Sequence, residues 1–216
     1  MRIGILGSGL MGGKLGTIFA RAGHDVVFSY SRSERKLKRL AREAQGHARA
    51  GTPREAALHA DALLLAVHWS RVDAVLKQAG DLSGKVIVTC SLPMNANDTA
   101  LAVAHTSSGA ETLAKKVRKA RVVSAFSTAP SEVLFDVFRR KSKRGTRRRP
   151  SLLYCGDDRH AKRIAARLIR DVGFEPVDAG PLRVDRYLEP FSLAVAQLAY
   201  EGNEGPQVAY RIDRFR

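Results

Sequence analysis

Near its start the chain reads Gly7-Ser8-Gly9-Leu10-Met11-Gly12, three glycines in the spacing G-x-G-x-x-G. That spacing suits one task, the approach of backbone to a pyrophosphate. The first glycine permits a tight turn, the second lets the main chain come close to the anion, and the third lets the following helix pack closely on the preceding strand. A helix N-terminus behind the turn then offers unpaired N–H groups and a partial positive charge. The hexapeptide alone is a weak signal, and its setting makes it a strong one. Arg2 to Leu6 reads as a short strand. Leu15, Ile18, Phe19 and Ala22 recur at helical spacing after the turn, with Gly23 as the C′ residue that closes the helix. All six turn residues are therefore expected to contact a dinucleotide, Met11 where its nicotinamide would pass.

The second strand carries the selector. A dinucleotide site of this type usually places Asp or Glu at the end of that strand, where it holds the ribose hydroxyls. Here the strand ends Phe28-Ser29-Tyr30-Ser31-Arg32-Ser33, with Arg35 and Lys36 following. Arg32 can pair bidentately with a phosphate, and the hydroxyls of Ser31 and Ser33 can donate to it. A carboxylate there would repel a 2′-phosphate. Ser31, Arg32, Ser33 and Lys36 therefore predict NADP(H) rather than NAD(H), with Glu34 turned to solvent.

Ala62 to Val67 is a continuous apolar run, as expected of a strand buried on both faces. Ala66, Val67, His68 and Trp69 at its end lie on the carboxyl edge, where open α/β sheets bind ligands. His68 could touch a diphosphate or an acceptor, and Trp69 could wall a ring, although both could simply pack. The histidines are scattered without metal-ligand spacing, so no metal is expected. Cys90 and Cys155 each follow a strand-like run and read as small buried hydrophobes, not as a disulfide.

These residues need a scaffold, and the sequence supplies one. Strand-like runs alternate with helical stripes: Val26 to Phe28, the stripe Leu37, Leu40 and Ala44, then Val72 to Leu76, Lys85 to Thr89, Val122 to Phe126 and Leu152 to Tyr154. Asp157 is placed as the N-cap of a helix with the stripe Ala161, Ile164, Ala165, Leu168 and Val172, stopped by Gly173. Glu175 to Asp178 reads as the last strand. Arg186 to Tyr200 reads as a helix, and Pro206 as the start of a final one. Alternation of this kind means a Rossmann-type, doubly wound α/β fold with a mostly parallel sheet and a small C-terminal α/β extension. The division expected is a dinucleotide-binding domain over 1–138, a basic loop over 139–150, and a small lobe over 151–216 that completes an acceptor site.

Several segments together resemble a known family, the NADP-dependent reductases of the deazaflavin coenzyme (coenzyme F-420). They are the glycine turn, Ser31-Arg32-Ser33, Ala66 to Trp69, Ser108-Gly109-Ala110-Glu111, Val122 to Phe126, Gly156-Asp157-Asp158, the run Gly173 to Leu182, and Tyr187-Leu188-Glu189-Pro190. The resemblance implies hydride transfer between NADPH and a planar acceptor stacked on the nicotinamide. It also implies a pocket built by Ser91 to Pro93 and by Ala125, Phe126 and Ser127 to Thr128. Ser127 stands where many relatives carry Asn, which leaves room for an acceptor other than the deazaflavin, such as FMN or FAD. Hydride transfer between flat cofactors needs positioning and dryness more than side-chain chemistry. The absence of an obvious catalytic dyad or triad is therefore no objection, and His68 and Ser127 are the only catalytic candidates.

The chain of 216 residues has a net charge of +16, and half of it comes from 139–149, which holds eight basic residues and no acidic one. Such a charge points to anionic partners. The basic loop reads first as a solvated surface segment and second as a capture device for an acidic acceptor. Nucleic acid ranks last, because the loop has no interleaved aromatics. No apolar run reaches membrane-spanning length. Four glycines break the apolar start, so no secretory signal is expected and the reading is cytoplasmic. A β-hydroxyacid or imine dehydrogenase would need a long helical domain after the glycine-bearing one. Reduction of ferric or cupric chelates through a flavin, or an NADPH-binding sensor without turnover, stand as alternatives. Phe191, Leu193, Leu198 and Tyr200 suggest a homodimer face.

Overall fold

The structure is a computed structural model that describes residues 1–31, 33–141 and 149–215. Arg32 and residues 142–148, the centre of the basic loop, lie outside the described residues.

Strand β1 (Arg2–Leu6) feeds the glycine turn and helix α1 (Leu10–Arg21). Gly23 follows with φ +86, a conformation that costs glycine nothing. Next come β2 (Asp25–Ser29), α2 (Glu34–Ala44), β3 (Ala48–Ala50), α3 (Pro53–Leu58), β4 (Ala62–Leu65) and α4 (Val72–Ala79). The middle of the chain gives β5 (Val86–Thr89), α5 (Gly109–Lys116), β6 (Arg121–Ala125) and α6 (Leu134–Lys141). The last part gives β7 (Ser151–Gly156), α7 (Arg159–Val172), β8 (Glu175–Asp178) and α8 (Asp185–Ala196), which runs on into a wider π turn over 197–201.

The eight strands form a single sheet in the order β3-β2-β1-β4-β5-β6-β7-β8. Every pairing is parallel except β6 with β7. The order reverses between β1 and β4, the switch point at which such sheets bind ligands. All four residues of β4 and all four of β5 are buried, so these strands are covered on both faces. One apolar layer joins α1, α6 and α7 to one face of the sheet, and another joins α3, α4, α5 and α8 to the other. Strands β7 and β8 extend this same sheet, so the 151–216 segment shares its hydrogen bonds with the dinucleotide-binding part.

Two expectations are corrected. The N-cap of α7 is Asp158, whose carboxylate accepts the Ala161 N–H at 2.8 Å, whereas Asp157 accepts the Leu182 N–H at 2.9 Å. No helix begins at Pro206. The tail there satisfies its backbone against β7: Ser151 N–H donates to the Tyr210 carbonyl at 2.8 Å, and Ile212 N–H donates to Ser151 Oγ at 3.0 Å. The short β3 and α3, together with α5 and α6, are additional elements. Both cysteines are buried free thiols, and burial pushes the Cys90 thiol up to about 12.

Candidate dinucleotide-binding site

The carboxyl ends of β1, β2 and β4 open into a cleft of about 1080 Å³, at the upper end of small-molecule sites. Gly7, Ser8 and Gly9 form its floor, Tyr30, Ser31, Ser33 and Lys36 one wall, Gly51, Thr52, Pro53 and Glu55 a second, and Ala66, Val67, His68 and Arg71 a third.

The three glycines have separable reasons to be glycine. Gly7 sits at φ +110, and a Cβ there would lie 2.4 Å from the Ala66 carbonyl oxygen. A Cβ on Gly12 would lie 1.8 Å from the Gly7 carbonyl oxygen. A Cβ on Gly9 would meet no protein atom within 4 Å. Gly7 and Gly12 are therefore required by the fold, and Gly9 leaves open space above the turn. Gly9 is also the N-cap of α1, and the helix has no side-chain cap. Its first amides are thus presented to that space. Ser8 fastens the turn to β2: its hydroxyl donates to the Ser29 carbonyl at 2.9 Å, and its N–H donates to the Tyr30 carbonyl at 3.3 Å.

The chain leaves β2 through Tyr30 at φ +54. Ser31 Oγ accepts the Ser33 N–H at 3.3 Å, and Ser33 Oγ caps α2 by accepting the Lys36 N–H at 3.3 Å. Both hydroxyls act as acceptors in these bonds, so each keeps a proton to donate. Lys36 adds a cation to this wall. Glu34 is exposed and pairs with Lys38 at 2.7 Å, which holds its carboxyl below the usual range.

The wall that the sequence reading missed is the start of α3. Thr52 Oγ1 accepts the Glu55 N–H at 3.2 Å, and the Glu55 carboxylate accepts the Thr52 N–H at 2.6 Å, a reciprocal cap with Pro53 in the first turn. Thr-Pro-x-Glu was a legible signal for it. The Glu55 carboxylate is thereby tied to its own helix.

His68 projects from the end of β4 with both ring nitrogens engaged, Nδ1 with Ser70 Oγ at 2.8 Å and Nε2 with Asp98 Oδ1 at 2.9 Å. The His68–Asp98 pair bridges this strand tip to the loop after β5.

Among the described residues, Leu10, Met11, Trp69, Ser91, Ala125, Phe126 and Ser127 do not line this cleft. Leu10 is 71% exposed at the head of α1, Met11 packs partly on the core, and Trp69 is half-buried against the apolar layer of α4. Ser91 Oγ accepts the Val67 N–H at 3.2 Å and so links two strand tips. Ala125 and Phe126 are buried, the Phe126 ring edge-on to Phe19 at 6.3 Å. Phe126 has φ +70, and what it offers the sheet edge is backbone. Ser127, next in the chain, is half-buried.

Two resembling segments far apart in sequence meet here. The Glu189 carboxylate on α8 accepts the N–H groups of Gly109 and Ala110, the first residues of α5, at 3.0 and 3.2 Å. A Cβ on Gly109 would lie 2.9 Å from Glu189 Oε1 and 3.0 Å from Pro93. Beside them Arg186 makes two hydrogen bonds to Glu111, at 2.7 and 2.8 Å, and holds that carboxyl below its ordinary range.

With this geometry in place, the chain can be compared with known proteins. Residues 2–93 match the family described as NADP oxidoreductase, coenzyme F420-dependent. The resemblance read from the sequence holds over that segment. The rat (Rattus norvegicus) protein metalloreductase STEAP3 is 29% identical over 192 residues, which cover 89% of this chain and 36% of the rat protein. The chain therefore spans about a third of that relative's length. A candidate F420-dependent NADP-reductase from Arthrobacter sp. FB24 superposes with a TM-score of 0.84 at 21% identity, over 99% of this chain and all of the other. A hypothetical protein from Sinorhizobium meliloti superposes with a TM-score of 0.74 at 25% identity, over 99% of this chain and 96% of the other. Both structural likenesses establish the Rossmann-like fold.

Proposed function

We propose that this protein is an NADP-dependent oxidoreductase that moves a hydride between NADP(H) and a flat redox acceptor, the deazaflavin coenzyme first and a flavin second. The observation that carries the reading is the open space over Gly9 at the uncapped head of α1, flanked by Ser31, Ser33 and Lys36, with Glu34, which also lines this wall, paired to Lys38. The match of residues 2–93 to the NADP oxidoreductase family supports it.

In this reading the amides at the start of α1 hold the diphosphate, with Gly9 giving it room. Ser31, Ser33, Lys36 and Arg32 hold the 2′-phosphate. Ala66, Val67 and His68 line the far wall, and His68, fixed by Ser70 and Asp98, positions rather than transfers protons. Leu10, Met11 and Trp69 border the nicotinamide side. Ser91, Ala125, Phe126 and Ser127 bound the acceptor on the same sheet edge, and the 151–216 lobe closes it. The bound nicotinamide supplies the hydride chemistry, while the chain orients the rings and excludes water. The exposed Phe191, Leu198 and Tyr200 on and after α8 fit a homodimer face. The two buried thiols fit a reducing compartment such as the cytoplasm.

The similarity to the rat metalloreductase favours a second reading, reduction of a metal chelate through a bound flavin. Anaerobic mixing of the protein with NADPH and the deazaflavin coenzyme, followed by loss of the oxidised chromophore, tests the first reading. NADH, free flavin and flavin with ferric chelate serve as parallel arms. Turnover with NADPH and deazaflavin supports the first reading. Turnover only with flavin and ferric chelate replaces it with the second, and no turnover in any arm overturns both.

A further inference from the structure

On the edge of the sheet opposite the dinucleotide cleft, where β1, β4 and β5 begin, a second cavity of about 650 Å³ opens beneath α7. Its helical wall is His160, Arg163, Ile164 and Arg167. These positions fall on one stripe of the helix. The adjoining stripe, with Ala161, Ala165, Leu168 and Val172, is buried in the core, and Ile164 packs partly on it. Lys85 stands on the facing wall, its ammonium fixed by the carbonyls of Leu58 and Ala60 at 3.0 and 3.2 Å. An ammonium has three protons, so one remains for a ligand.

The counter-charges are already committed. Asp61, the acid on this wall, accepts the Arg2 N–H at 2.9 Å and the Arg2 guanidinium at 2.8 Å. Asp171 lies 3.8 Å from Arg167 and closer, at 3.0 Å, to His24. Arg163 makes no hydrogen bond or ion pair among the described residues. A cavity with Arg163 and Arg167 on one wall and Lys85 on the other, and with Asp61 already paired, concentrates positive potential where water can be displaced.

We propose that this cavity is a second binding site, for a small ligand bearing two adjacent phosphoryl groups. Arg163 and Arg167 are one helical turn apart, about 5–6 Å between Cβ atoms. Each guanidinium can grip a phosphoryl group in a two-pronged fashion, with Lys85 as a point charge between the walls. The site does not depend on the dinucleotide reading, because it lies at the other end of the strands.

Inorganic pyrophosphate is the probe, titrated calorimetrically at fixed ionic strength into protein saturated with NADPH, so that the first cleft is closed to it. The wild-type protein should bind it, Arg163→Ser/Arg167→Ser should weaken it at least tenfold, and Lys85→Met should weaken it by a smaller factor. Both variants should keep wild-type NADPH affinity and circular dichroism. Equal pyrophosphate affinity in wild type and double variant overturns the proposal. So does binding no tighter than that of sulfate, or a site that takes duplex DNA but not pyrophosphate.

Discussion

Glu189 and Asp185 stand one turn apart on α8, both carboxyls buried at 2% and 1% exposure. Burial pushes Glu189 up to about 9, and the neighbouring Asp185 adds to it. Burial raises Asp185 as well. A proton kept on Glu189 lets the two buried acids share α8 while Glu189 caps α5. Glu189 holds α8 against the head of α5 without placing an unpaired charge in the core.

This pair makes stability pH-dependent. The unfolded chain ionises Glu189 near the ordinary value of about 4.3, whereas the folded chain keeps it protonated up to about 9. The folded state therefore holds the extra proton across that window, and stability falls as pH rises through it, levelling off above about 9. The slope is at most about 1.4 kcal/mol per pH unit. Glu189→Gln removes the proton and should flatten the decline. Urea midpoints at several pH values measure it, and parallel curves for the two proteins would refute a proton retained on Glu189.

The glycines of the turn should separate by phenotype. Gly9→Ala leaves a Cβ in open space at an extended φ of −76, so the variant should fold normally and lose NADPH affinity tenfold or more. Gly12→Ala drives a Cβ into the Gly7 carbonyl and should cost about 1–3 kcal/mol or more in stability. Thermal melts paired with NADPH titration distinguish the two. A Gly9→Ala protein with full affinity would show that no ligand backbone passes there.

Cofactor choice should turn on the β2 tip. Ser31→Asp replaces a donor with a charge of the phosphate's own sign. The ratio of NADPH to NADH affinity should fall at least tenfold, about 1.4 kcal/mol. Fluorescence titration with both nucleotides reads it. An unchanged ratio would place the 2′-phosphate elsewhere.

The α3 cap offers a gentler test. Thr52→Ala removes the side-chain half of the reciprocal cap and should cost about 1 kcal/mol. It should also weaken NADPH binding modestly, since Thr52 and Pro53 form one wall of the cleft. Melting and titration of the same variant decide this, and loss of stability with intact affinity would restrict Thr52 to a structural part.

The sequence by itself determined the local grammar: strand, glycine turn and helix in immediate succession, a second strand ending without an acid, and alternation that permits only a mostly parallel sheet. These features are written in neighbouring residues, because turn sterics and helix periodicity act over a few positions. Tertiary structure decided what depends on distant partners. Ser8 is spent on β2, and His68 is held by Asp98 thirty positions away. The Phe126 ring belongs to the core, the tail after Pro206 pairs with β7 instead of coiling, and Glu189 caps a helix eighty residues upstream. Each side chain or backbone group in that set could have bonded to several partners of the same chemistry. Only the packed sheet, by fixing which groups lose water together, chose among them.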